Sequence, residues 1–364
     1  MYSMYKCVIN GRFLSQPVTG VQRYAGEVVS AVDALLNEEP SIRSRWAIEI
    51  LTTSDYCGPA KWNHISIRRV GRFAGHLWEQ IYLPRHLEGR LLIGLTNTGP
   101  MRVARQIVTI HDASVAAAPA GYSTSFRTWY KLLIKRLGKK AQRIATDSEF
   151  SRGELNRWFD VPSERISVIP LGGEHILRQP SDHRIFDRLN IGDRRFVLSA
   201  GSLNPNKNIG ALAETATRLQ QEGIELIVAG GANAKVFKSV TGNLPSNIRY
   251  LGYIADSELR ALYERAICFV FPSKYEGFGL PPLEAMSCGC PVVTSNAASL
   301  SEVCGNAVCY VDPGEPRQMS ESVMKIVLDE SVRLELSRLG KERAATFTWA
   351  NTAREWLRLI ESFY

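Results

Sequence analysis

Two glutamates eight residues apart, Glu276 and Glu284, stand on either side of a loop rich in glycine and proline. The apolar run 267–271 just before them has the composition of a buried parallel strand, and ligands of open α/β sheets bind beyond the carboxyl ends of such strands. Gly277 and Gly279 let backbone approach a ligand, and the two prolines that follow suit the first turn of a helix, whose free N–H groups favour phosphate. The pattern is typical of a site that binds a sugar nucleotide.

Each part of this pattern also has an ordinary structural interpretation. A lone loop glutamate is usually solvated, and Gly-Phe-Gly is often only a turn. The fixed order of strand, carboxylate, glycine loop, double proline and second carboxylate favours a functional site. The stretch from Glu276 to Glu284 resembles the Glu-x7-Glu signature of retaining glycosyltransferases of family 4, the group 1 glycosyl transferases with the two-domain GT-B fold. The resemblance extends over most of the chain and is strongest from Phe196 to Tyr310.

The resemblance implies a role for each residue of this stretch. In the family the first glutamate, here Glu276, contacts the donor sugar, and the second, here Glu284, holds the ribose hydroxyls of the nucleotide. Phe278, Gly279 and Leu280 between them are then expected to line the donor site.

A second segment, from Ser199 to Asn208, follows the first predicted strand of the second half and is expected to open a helix. This is a phosphate-loop location, and Lys207 at the start of that helix offers a compact positive charge to a departing diphosphate. An exposed loop lysine is the ordinary alternative. The segment resembles the family's Gly-x-x-x-x-x-Lys element, which here begins at Gly201 and whose lysine binds the diphosphate. Many members have an arginine after the glycine, where this chain has Ser202.

The loop 17–24 follows the first predicted strand and precedes a helix predicted from Ala25 to Leu36. Gly20 could let backbone approach the donor phosphate, whereas an isolated glycine would merely cap the helix. The loop resembles the family's Gly-Val/Ile-x-Arg-Tyr element, which places Gly20 and Val21 on the donor or acceptor side.

His111 comes directly after the predicted strand 106–110, so its side chain is expected at the carboxyl edge of the first sheet. A histidine after a strand is as often structural. Family members carry a histidine here that touches the donor sugar. Ser148 is expected to cap the next helix. By resemblance, backbone around Tyr253 flanks the nucleotide base, although its ring could equally belong to the core.

With 364 residues, 45% hydrophobic and 22% charged, the chain has the length of two ordinary domains and the composition of a soluble globular protein. No apolar run approaches the roughly 20 residues that span a bilayer, and no secretory signal opens the sequence. The expected location is cytoplasmic. The seven cysteines are scattered without Cys-x-x-Cys pairs, which indicates neither a disulfide framework nor a zinc site.

The net charge of +8 is concentrated in residues 1–172, which hold 23 Lys and Arg against 14 Asp and Glu. The densest part, 125–140, is predicted to form a basic helix with aromatic and aliphatic residues. Such a helix suits peripheral contact with the anionic inner leaflet of a membrane. An ordinary helix that packs Leu133 and Leu137 inward explains the pattern equally well. Nucleic acid is not expected, because no recognised binding motif accompanies the charge.

Strand-like and helical stretches alternate in both halves, which predicts an α/β chain with two doubly wound parallel sheets. The resemblance makes these the two Rossmann-like domains of a GT-B fold, facing each other across a cleft. We predict an acceptor-binding domain over 1–172, a nucleotide-sugar-binding domain over 173–346, and a C-terminal helix over 347–364 that packs back on the first domain. The predicted strands are Lys6–Asn10, Ala47–Leu51, Ile65–Arg69, Leu91–Leu95, Gln106–Ile110, Ile144–Asp147, Arg195–Ala200, Glu225–Ala229, Ile267–Phe271, Pro291–Ser295 and Val308–Val311.

The function expected from the resemblance is a retaining hexosyltransferase of surface polysaccharide synthesis, with a nucleotide sugar as donor and no other cofactor. No Asp-x-Asp sequence occurs, so Lys207, helix amino ends and backbone N–H groups are expected to stabilise the leaving diphosphate without a metal ion. The loop at Gly20 resembles that of bacterial mannosyl- and rhamnosyltransferases, which favours a GDP-sugar donor; UDP- and dTDP-sugars stay open. A saccharide or polyprenyl-linked saccharide is the expected acceptor. A sugar-nucleotide epimerase of GT-B fold and a non-catalytic sugar-nucleotide-binding partner are the alternatives.

Overall fold

A computed structural model describes residues 4–58, 62–231 and 245–364. The chain divides into two compact units. The first comprises Met1–Ala113, Thr128–Gly172 and Trp349–Tyr364, and the second comprises Ser114–Arg127 and Gly173–Thr348.

The division differs from the predicted one at two places: Ser114–Arg127 was expected in the first domain and groups with the second unit, and residues 347–348, expected in the C-terminal helix, also belong to the second unit. The first of these is the larger difference. The contacts of Ser114–Arg127 within that unit explain it. Asn206 Nδ2 donates to the carbonyl of Ala118 at 3.2 Å, and Gly121 lies against the side chain of Asn204 so closely that a Cβ there would overlap it. No local pattern in the sequence announces these long-range contacts.

The strands of the two units form two separate sheets. In the described ranges, the first sheet has seven strands in the order β3-β2-β1-β4-β5-β6-β7, and the second has six in the order β10-β9-β8-β11-β12-β13. The strands are β1 Tyr5–Asn10, β2 Trp46–Thr52, β3 Ile65–Arg69, β4 Leu91–Gly94, β5 Gln106–Thr109, β6 Arg143–Thr146, β7 Ile166–Val168, β8 Phe196–Ala200, β9 Glu225–Ala229, β10 Ile248–Gly252, β11 Phe269–Phe271, β12 Val292–Ser295 and β13 Cys309–Val311.

All the pairings between neighbouring strands that the described residues make are parallel. In the first sheet Ile9 of β1 is in register with Ile50 of β2 and Ile93 of β4. In the second sheet Leu198 of β8 is in register with Ile227 of β9 and Phe269 of β11. The predicted fold class is therefore confirmed as two parallel α/β sheets.

Helices connect the strands of each sheet. In the part of the chain that the structure describes they are α1 Gly20–Glu38, α2 Pro40–Arg43, α3 Gly75–Arg85, α4 Ser114–Ala117, α5 Thr124–Lys140, α6 Glu149–Phe159, α7 Arg184–Arg188, α8 Ala213–Gln221, α9 Asp256–Arg265, α10 Leu280–Ser287, α11 Leu300–Cys304, α12 Pro316–Leu328, α13 Glu330–Ala344 and α14 Trp349–Glu361. Ser148 caps α6, because its Oγ accepts from the backbone N–H of Ser151 at 3.0 Å, as predicted.

Each sheet is covered by apolar side chains from its helices. In the second unit, Val228 of β9 and Val270 of β11 belong to one buried cluster with Leu219 of α8 and Val323 of α12. In the first unit, Val8 of β1 and Leu92 of β4 pack with Trp78 and Leu83 of α3. Burial of each such side chain stabilises the fold by roughly 1.5–3 kcal/mol, so the sheet centres, where the site loops begin, are the best-anchored parts of each unit.

The C-terminal helix α14 belongs to the first unit and packs along α1, as expected for a helix that returns to the first domain. Its inward face buries Ala353, Trp356 and Ile360. The indole N–H of Trp356 donates to Tyr24 Oη at 2.9 Å, and Thr352 Oγ1 donates to the carbonyl of Pro170 at 2.7 Å.

The predicted basic helix is present as α5, and it buries Leu133 and Leu137 as the ordinary interpretation expected. All seven cysteines lie in the described ranges and are free thiols. Burial raises the pKa of Cys7 and of Cys268 to about 12, which makes both poor nucleophiles.

Candidate active site

The predicted donor-binding residues follow the central strands of the second sheet. β8 ends at Ala200 before the Gly201 loop, β9 ends at Ala229 before Gly230, and β11 ends at Phe271 before the Glu276 loop. Because β8 is the common neighbour of β9 and β11 in a parallel sheet, these loops leave the same edge.

Lys207 and Glu276 meet at this edge. Lys207 Nζ donates to Glu276 Oε1 at 2.7 Å, and Ser273 Oγ donates to the same oxygen at 2.5 Å. Both charged side chains are largely buried, with 21% and 11% exposed. An ammonium carries three N–H donors, so Lys207 has capacity beyond this bond for a further anion.

Lys207 does not lie at the start of an α-helix, and that part of the prediction is wrong. It ends a 3-10 turn, Pro205–Lys207; Asn208 follows in a left-handed conformation, and α8 begins only at Ala213. Asn208 Nδ2 fixes the turn by donating to the carbonyls of Pro272 at 3.2 Å and Pro313 at 2.9 Å. An asparagine tolerates this conformation better than other side chains do, which explains why a turn forms where a helix was predicted.

Two glycines let the loops after β8 and β9 touch. Gly201 has φ +153° and Gly230 has φ +150°. A Cβ on Gly230 would lie 1.9 Å from the carbonyl oxygen of Gly201. Only glycine fits there, and the loop that carries Ser202 and Lys207 is held against the end of β9.

The loop from Glu276 to Leu280 is fixed from behind by Ser299. Its Oγ lies within hydrogen-bond distance of the carbonyls of Glu276, at 3.0 Å, and Phe278, at 2.8 Å. Phe278 is buried and its ring meets Phe347 edge to face, with centroids 5.7 Å apart. Gly279, at φ +109°, directly precedes α10, whose first turn holds the two prolines as predicted. Pro281 and Pro282 carry no N–H, and the N–H of Leu283 donates to the carbonyl of Gly279 at 3.3 Å, so within this first turn only Leu280 can offer a backbone N–H to a ligand.

Glu284 lies in α10 and is buried. Its Oε1 accepts from His175 Nε2 at 2.9 Å, and its Oε2 accepts from Tyr263 Oη at 3.2 Å. Burial and the neighbouring Glu284 charge raise the pKa of Tyr263, so the phenol remains a donor. Neither His175 nor Tyr263 was identified from the sequence, because neither lies in a recognisable motif and 109 residues separate His175 from its partner.

Tyr253 follows β10 and its ring is 68% exposed, so it does not belong to the core. Gly252 before it has φ +72°. The predicted role of Tyr253 beside the nucleotide base stays a prediction.

In the first unit, His111 lies past the end of β5 and is buried. Its Nδ1 lies 2.7 Å from Asp147 Oδ2, and since a carboxylate only accepts, Nδ1 carries the proton. Burial lowers the pKa of His111, but the charge and hydrogen bond of Asp147 outweigh it and the net shift is upward. The edge-to-face contact with the Tyr24 ring, at a centroid distance of 4.7 Å, fixes the imidazole further. In the sequence Asp147 only ends the predicted strand Ile144–Asp147, and no local pattern showed that it pairs with His111.

Gly20 and Val21 are not in a loop, and the predicted helix start at Ala25 is wrong. They form the first turn of α1, and the backbone N–H of Thr19 donates to Gln22 Oε1 at 3.3 Å just before it. This local bond between residues 19 and 22 lets the helix begin five residues earlier than its apolar periodicity suggests. No described atom lies within 4 Å of a Cβ built on Gly20, so the backbone of this turn is open to approach.

The structure thus gathers Gly201, Lys207, Glu276 and Gly279 around one sheet edge of the second unit, with Glu284 on the helix that follows Gly279, and it places Gly20 and His111 in the first unit. In the described ranges no group of three or more His, Cys, Asp or Glu side chains is arranged to hold a metal ion.

Residues 181–343 match the family "Glycosyl transferases group 1". The chain is 35% identical over 262 residues to O-antigen chain mannosyltransferase B of Escherichia coli, which covers 69% of each chain. It is 22% identical over 339 residues to O-antigen chain mannosyltransferase RfbU of Salmonella typhimurium, which covers 88% of this chain and 90% of that protein. It matches 31% of the length of the serotype-specific mannosyltransferase WbdA of E. coli, at 30% identity.

Solved structures share the fold. Sucrose-phosphate synthase from Thermosynechococcus elongatus superposes with a TM-score of 0.74 at 19% identity over 99% of both chains. The glycosyltransferase WaaG, described as involved in lipopolysaccharide biosynthesis, gives 0.69 at 17% identity over 98% of this chain and 99% of its own. The chain therefore has the GT-B fold. This chain belongs to the glycosyl transferases group 1 family.

Proposed function

We propose that the chain is a retaining, metal-independent hexosyltransferase of bacterial surface polysaccharide synthesis. It moves a mannose- or rhamnose-type sugar from a nucleotide donor, with GDP favoured, to a saccharide or polyprenyl-linked saccharide acceptor. The observation that carries the proposal is the Lys207–Glu276 pair at the edge of the second sheet. The names of the O-antigen mannosyltransferases to which the chain is similar support the choice of sugar.

In this proposal Lys207 neutralises the leaving diphosphate. One of its three N–H donors is directed to Glu276, which leaves the ammonium able to bridge that carboxylate and a phosphate oxygen. Because the lysine is largely buried, its charge is less screened than in water and acts strongly on negative charge that develops during glycosyl cleavage. The backbone N–H of Leu280 at the start of α10 and backbone N–H groups that follow Gly201 add to this stabilisation.

Glu276 orients the sugar hydroxyls and is not a covalent nucleophile. Its Oε1 already accepts from Lys207 and Ser273, which disperses the negative charge that a nucleophile needs. Retention then follows from attack on the face that the diphosphate leaves. The C1–O bond to phosphate breaks, the acceptor oxygen bonds to C1 on the same face, and the acceptor proton passes to the leaving phosphate oxygen. His111 contacts the donor sugar and Glu284 binds the ribose hydroxyls.

We also propose that the first unit contacts the anionic inner leaflet of the membrane, where a polyprenyl-linked acceptor lies. Leu77 and Ile81 lie one turn apart on α3, and Phe73 lies two residues before the helix begins; Phe73, Leu77 and Ile81 are 47%, 62% and 37% exposed. The opposite face of α3 buries Trp78 and Leu83 in the core, so the exposed stripe is additional to what the fold requires.

The charge beside the stripe favours an anionic lipid surface as its partner. The His76 ring in the first turn of α3 meets the Trp129 ring of α5 with centroids 5.5 Å apart. Helix α5 carries six Lys and Arg and no Asp or Glu, with Leu132 exposed among them. Basic residues around exposed apolar side chains are the pattern of a peripheral membrane contact. No helix in the described part of the chain is long and apolar enough to cross a membrane.

A donor panel tests the proposed function. The full chain is heated with GDP-mannose, other GDP-sugars, UDP-sugars and dTDP-sugars, because a ligand that binds the native state raises the unfolding midpoint. The preferred donor is then incubated with a lipid-linked saccharide with and without EDTA, and the anomeric configuration of the product is read by NMR. We expect transfer with retention that EDTA leaves unchanged. Isomerised donor without acceptor would point to an epimerase, and donor binding without turnover would point to a non-catalytic partner.

A further inference from the structure

The carboxylate of Glu284 is held on both of its oxygens by buried side chains that play no part in the reaction proposed above. His175 Nε2 donates to Oε1 at 2.9 Å and Tyr263 Oη donates to Oε2 at 3.2 Å. Their exposed fractions are 5% for His175, 6% for Glu284 and 0% for Tyr263. A glutamate on a helix has three rotatable side-chain bonds, and one donor on each oxygen restricts both its position and the plane of its carboxylate.

His175 comes from the segment that follows the division between the two units. It lies in the 3-10 turn Glu174–Leu177, directly after Gly172 and Gly173. The backbone N–H of Gly173 donates to the carbonyl of Phe347 at 3.3 Å. A Cβ on Gly173 would lie 2.6 Å from Leu283 Cγ, so this turn is packed tightly on α10. His175 therefore reaches Glu284 from a backbone that is itself fixed.

Tyr263 approaches from the other side. It lies on α9, and its ring meets Phe269 of β11 edge to face with centroids 5.3 Å apart. The two donors are anchored in different elements, so neither depends on the other for its position. A carboxylate offers about four acceptor positions, and the two that remain are the number that a vicinal diol requires.

We infer that His175 and Tyr263 are positioning residues for recognition of the nucleotide ribose. They do not touch the nucleotide; they aim the free lone pairs of Glu284 at the 2′ and 3′ hydroxyls. This inference rests on the proposed function, because it takes the ligand of Glu284 to be the ribose of a nucleoside diphosphate.

The test compares two ligands that differ only in those hydroxyls. Calorimetry measures the affinity of the full chain for GDP and for 2′,3′-dideoxy-GDP, or for UDP and 2′,3′-dideoxy-UDP if the donor panel selects uridine. The wild-type chain should prefer the hydroxylated nucleotide on the order of tenfold or more, as for hydrogen bonds to a charged group. His175→Ala should bring that ratio close to one while the affinity for the dideoxy nucleotide stays unchanged. His175→Gln, whose amide N–H can donate, should restore part of the ratio.

Tyr263→Phe removes the second donor and should lower the ratio by a smaller amount, which keeps the test informative if His175→Ala does not fold. Leu177→Ala, an exposed position in the same turn as His175, is the matched control and should leave both affinities unchanged. If His175→Gln, His175→Ala and Tyr263→Phe all keep the wild-type ratio of affinities for the hydroxylated and the dideoxy nucleotide, this inference is overturned and the proposed function is not. An equal loss for both nucleotides also overturns this inference, since that reports general damage to the site. A wild-type chain that binds no nucleoside diphosphate overturns the proposed function, and this inference with it.

Discussion

The ammonium of Lys207 and the carboxylate of Glu276 are 2.7 Å apart although 69 residues of sequence separate them. The ring of Phe271 lies beneath the lysine, with Nζ 5.3 Å from its centroid. A cation so placed is attracted by both the carboxylate and the aromatic face, which holds it at the end of β11. The pair therefore supplies a fixed positive charge where the donor diphosphate is proposed to bind.

Replacement of this charge is the most direct test of the site. We expect Lys207→Ala to lose most of the thermal shift given by the preferred nucleotide sugar and to lower kcat/KM on the order of 100-fold, as when one donor to a developing anion is removed. Both quantities are measured on the full chain, by thermal unfolding with donor and by initial rates of transfer.

Lys274→Ala is the matched control, because Lys274 is exposed and interacts with the same loop through its backbone N–H, which donates to the Asn206 carbonyl at 2.8 Å. Its substitution should leave the thermal shift and the rate close to wild type. An unchanged shift in Lys207→Ala would remove Lys207 from the donor site.

The His111–Asp147 pair predicts a pH dependence of known sign. The pKa of His111 is raised in the folded chain above its unfolded value of about 6.5, because attraction to Asp147, with a further contribution from Asp112, outweighs the lowering effect of burial. The stability that the pair contributes is therefore fully present below about pH 6.5 and is lost as pH rises through the folded pKa. NMR titration of the imidazole, assigned with His111→Gln, should place its midpoint above 6.5.

Asp147→Asn should reverse that sign. Burial of His111 remains while the attraction is lost, so the imidazole midpoint should fall below about 6.5. The contribution of His111 to the free energy of unfolding should then rise with pH across this window, whereas in the wild-type chain it falls. A midpoint that does not move between the two proteins would show that Asp147 does not control the charge of His111.

Most of the second sheet and the glutamate loop could be predicted from sequence, because buried strands such as Phe196–Ala200 and Glu225–Ala229 are continuous apolar runs. The two strands that the sequence did not reveal, β7 and β10, lie at sheet edges. In β10 only Ile248 is buried, and Arg249 and Tyr250 interrupt the apolar pattern. An edge strand has one neighbour and a half-solvated surface, so its composition carries less signal.

The site shows a similar limit. Glu276 and Glu284 were found because their spacing is local, whereas His175 and Asp147 act through partners that only the tertiary structure brings near. The sequence predicts a helix start at Lys207 where the structure has a turn, because the left-handed conformation of Asn208 depends on its hydrogen bonds to distant carbonyls. Local sequence patterns indicate the chemistry that a residue could carry out, whereas long-range contacts determine its position in the fold.

The apolar stripe on α3 predicts membrane binding that depends on both apolar surface and charge. Leu77→Ser with Ile81→Ser should lower co-sedimentation with vesicles of phosphatidylglycerol and phosphatidylethanolamine several-fold, and raised salt should weaken wild-type binding further. Leu334→Ser with Leu328→Ser, exposed leucines of the second unit, provides the control and should bind as wild type does. Vesicle binding unaffected by the α3 substitutions, or a dimer that they dissociate in analytical ultracentrifugation, would contradict the membrane assignment.

The contact between Gly230 and Gly201 predicts a strong asymmetry between two adjacent glycines. Gly230→Ala would put a Cβ 1.9 Å from a backbone oxygen at a φ of +150°, whereas none of the described residues comes within 4 Å of a Cβ on Gly231. We expect Gly230→Ala to lower the free energy of unfolding on the order of 3 kcal/mol and to weaken donor binding, since the Gly201 loop must shift. Gly231→Ala should stay within about 0.5 kcal/mol of wild type. Equal effects of the two, measured by urea unfolding, would contradict the close approach.

The bond between Trp356 Nε1 and Tyr24 Oη ties the C-terminal helix to the helix that begins at Gly20, and both groups are buried. Tyr24→Phe keeps the ring but leaves the indole N–H without its acceptor, so the free energy of unfolding should fall by about 1–3 kcal/mol. Arg354→Ala, which removes an exposed ion pair with Glu39 from the same pair of helices, should cost less than about 1 kcal/mol. Urea unfolding with an unchanged m-value separates the two effects from a change in the denatured state.

Because the Tyr24 ring also meets His111 edge to face, Tyr24→Phe should keep the midpoint of the His111 imidazole titration near its wild-type value while α14 loosens. Equal losses of stability in the two variants would mean that burial of the rings, and not this hydrogen bond, holds the C-terminal helix in place.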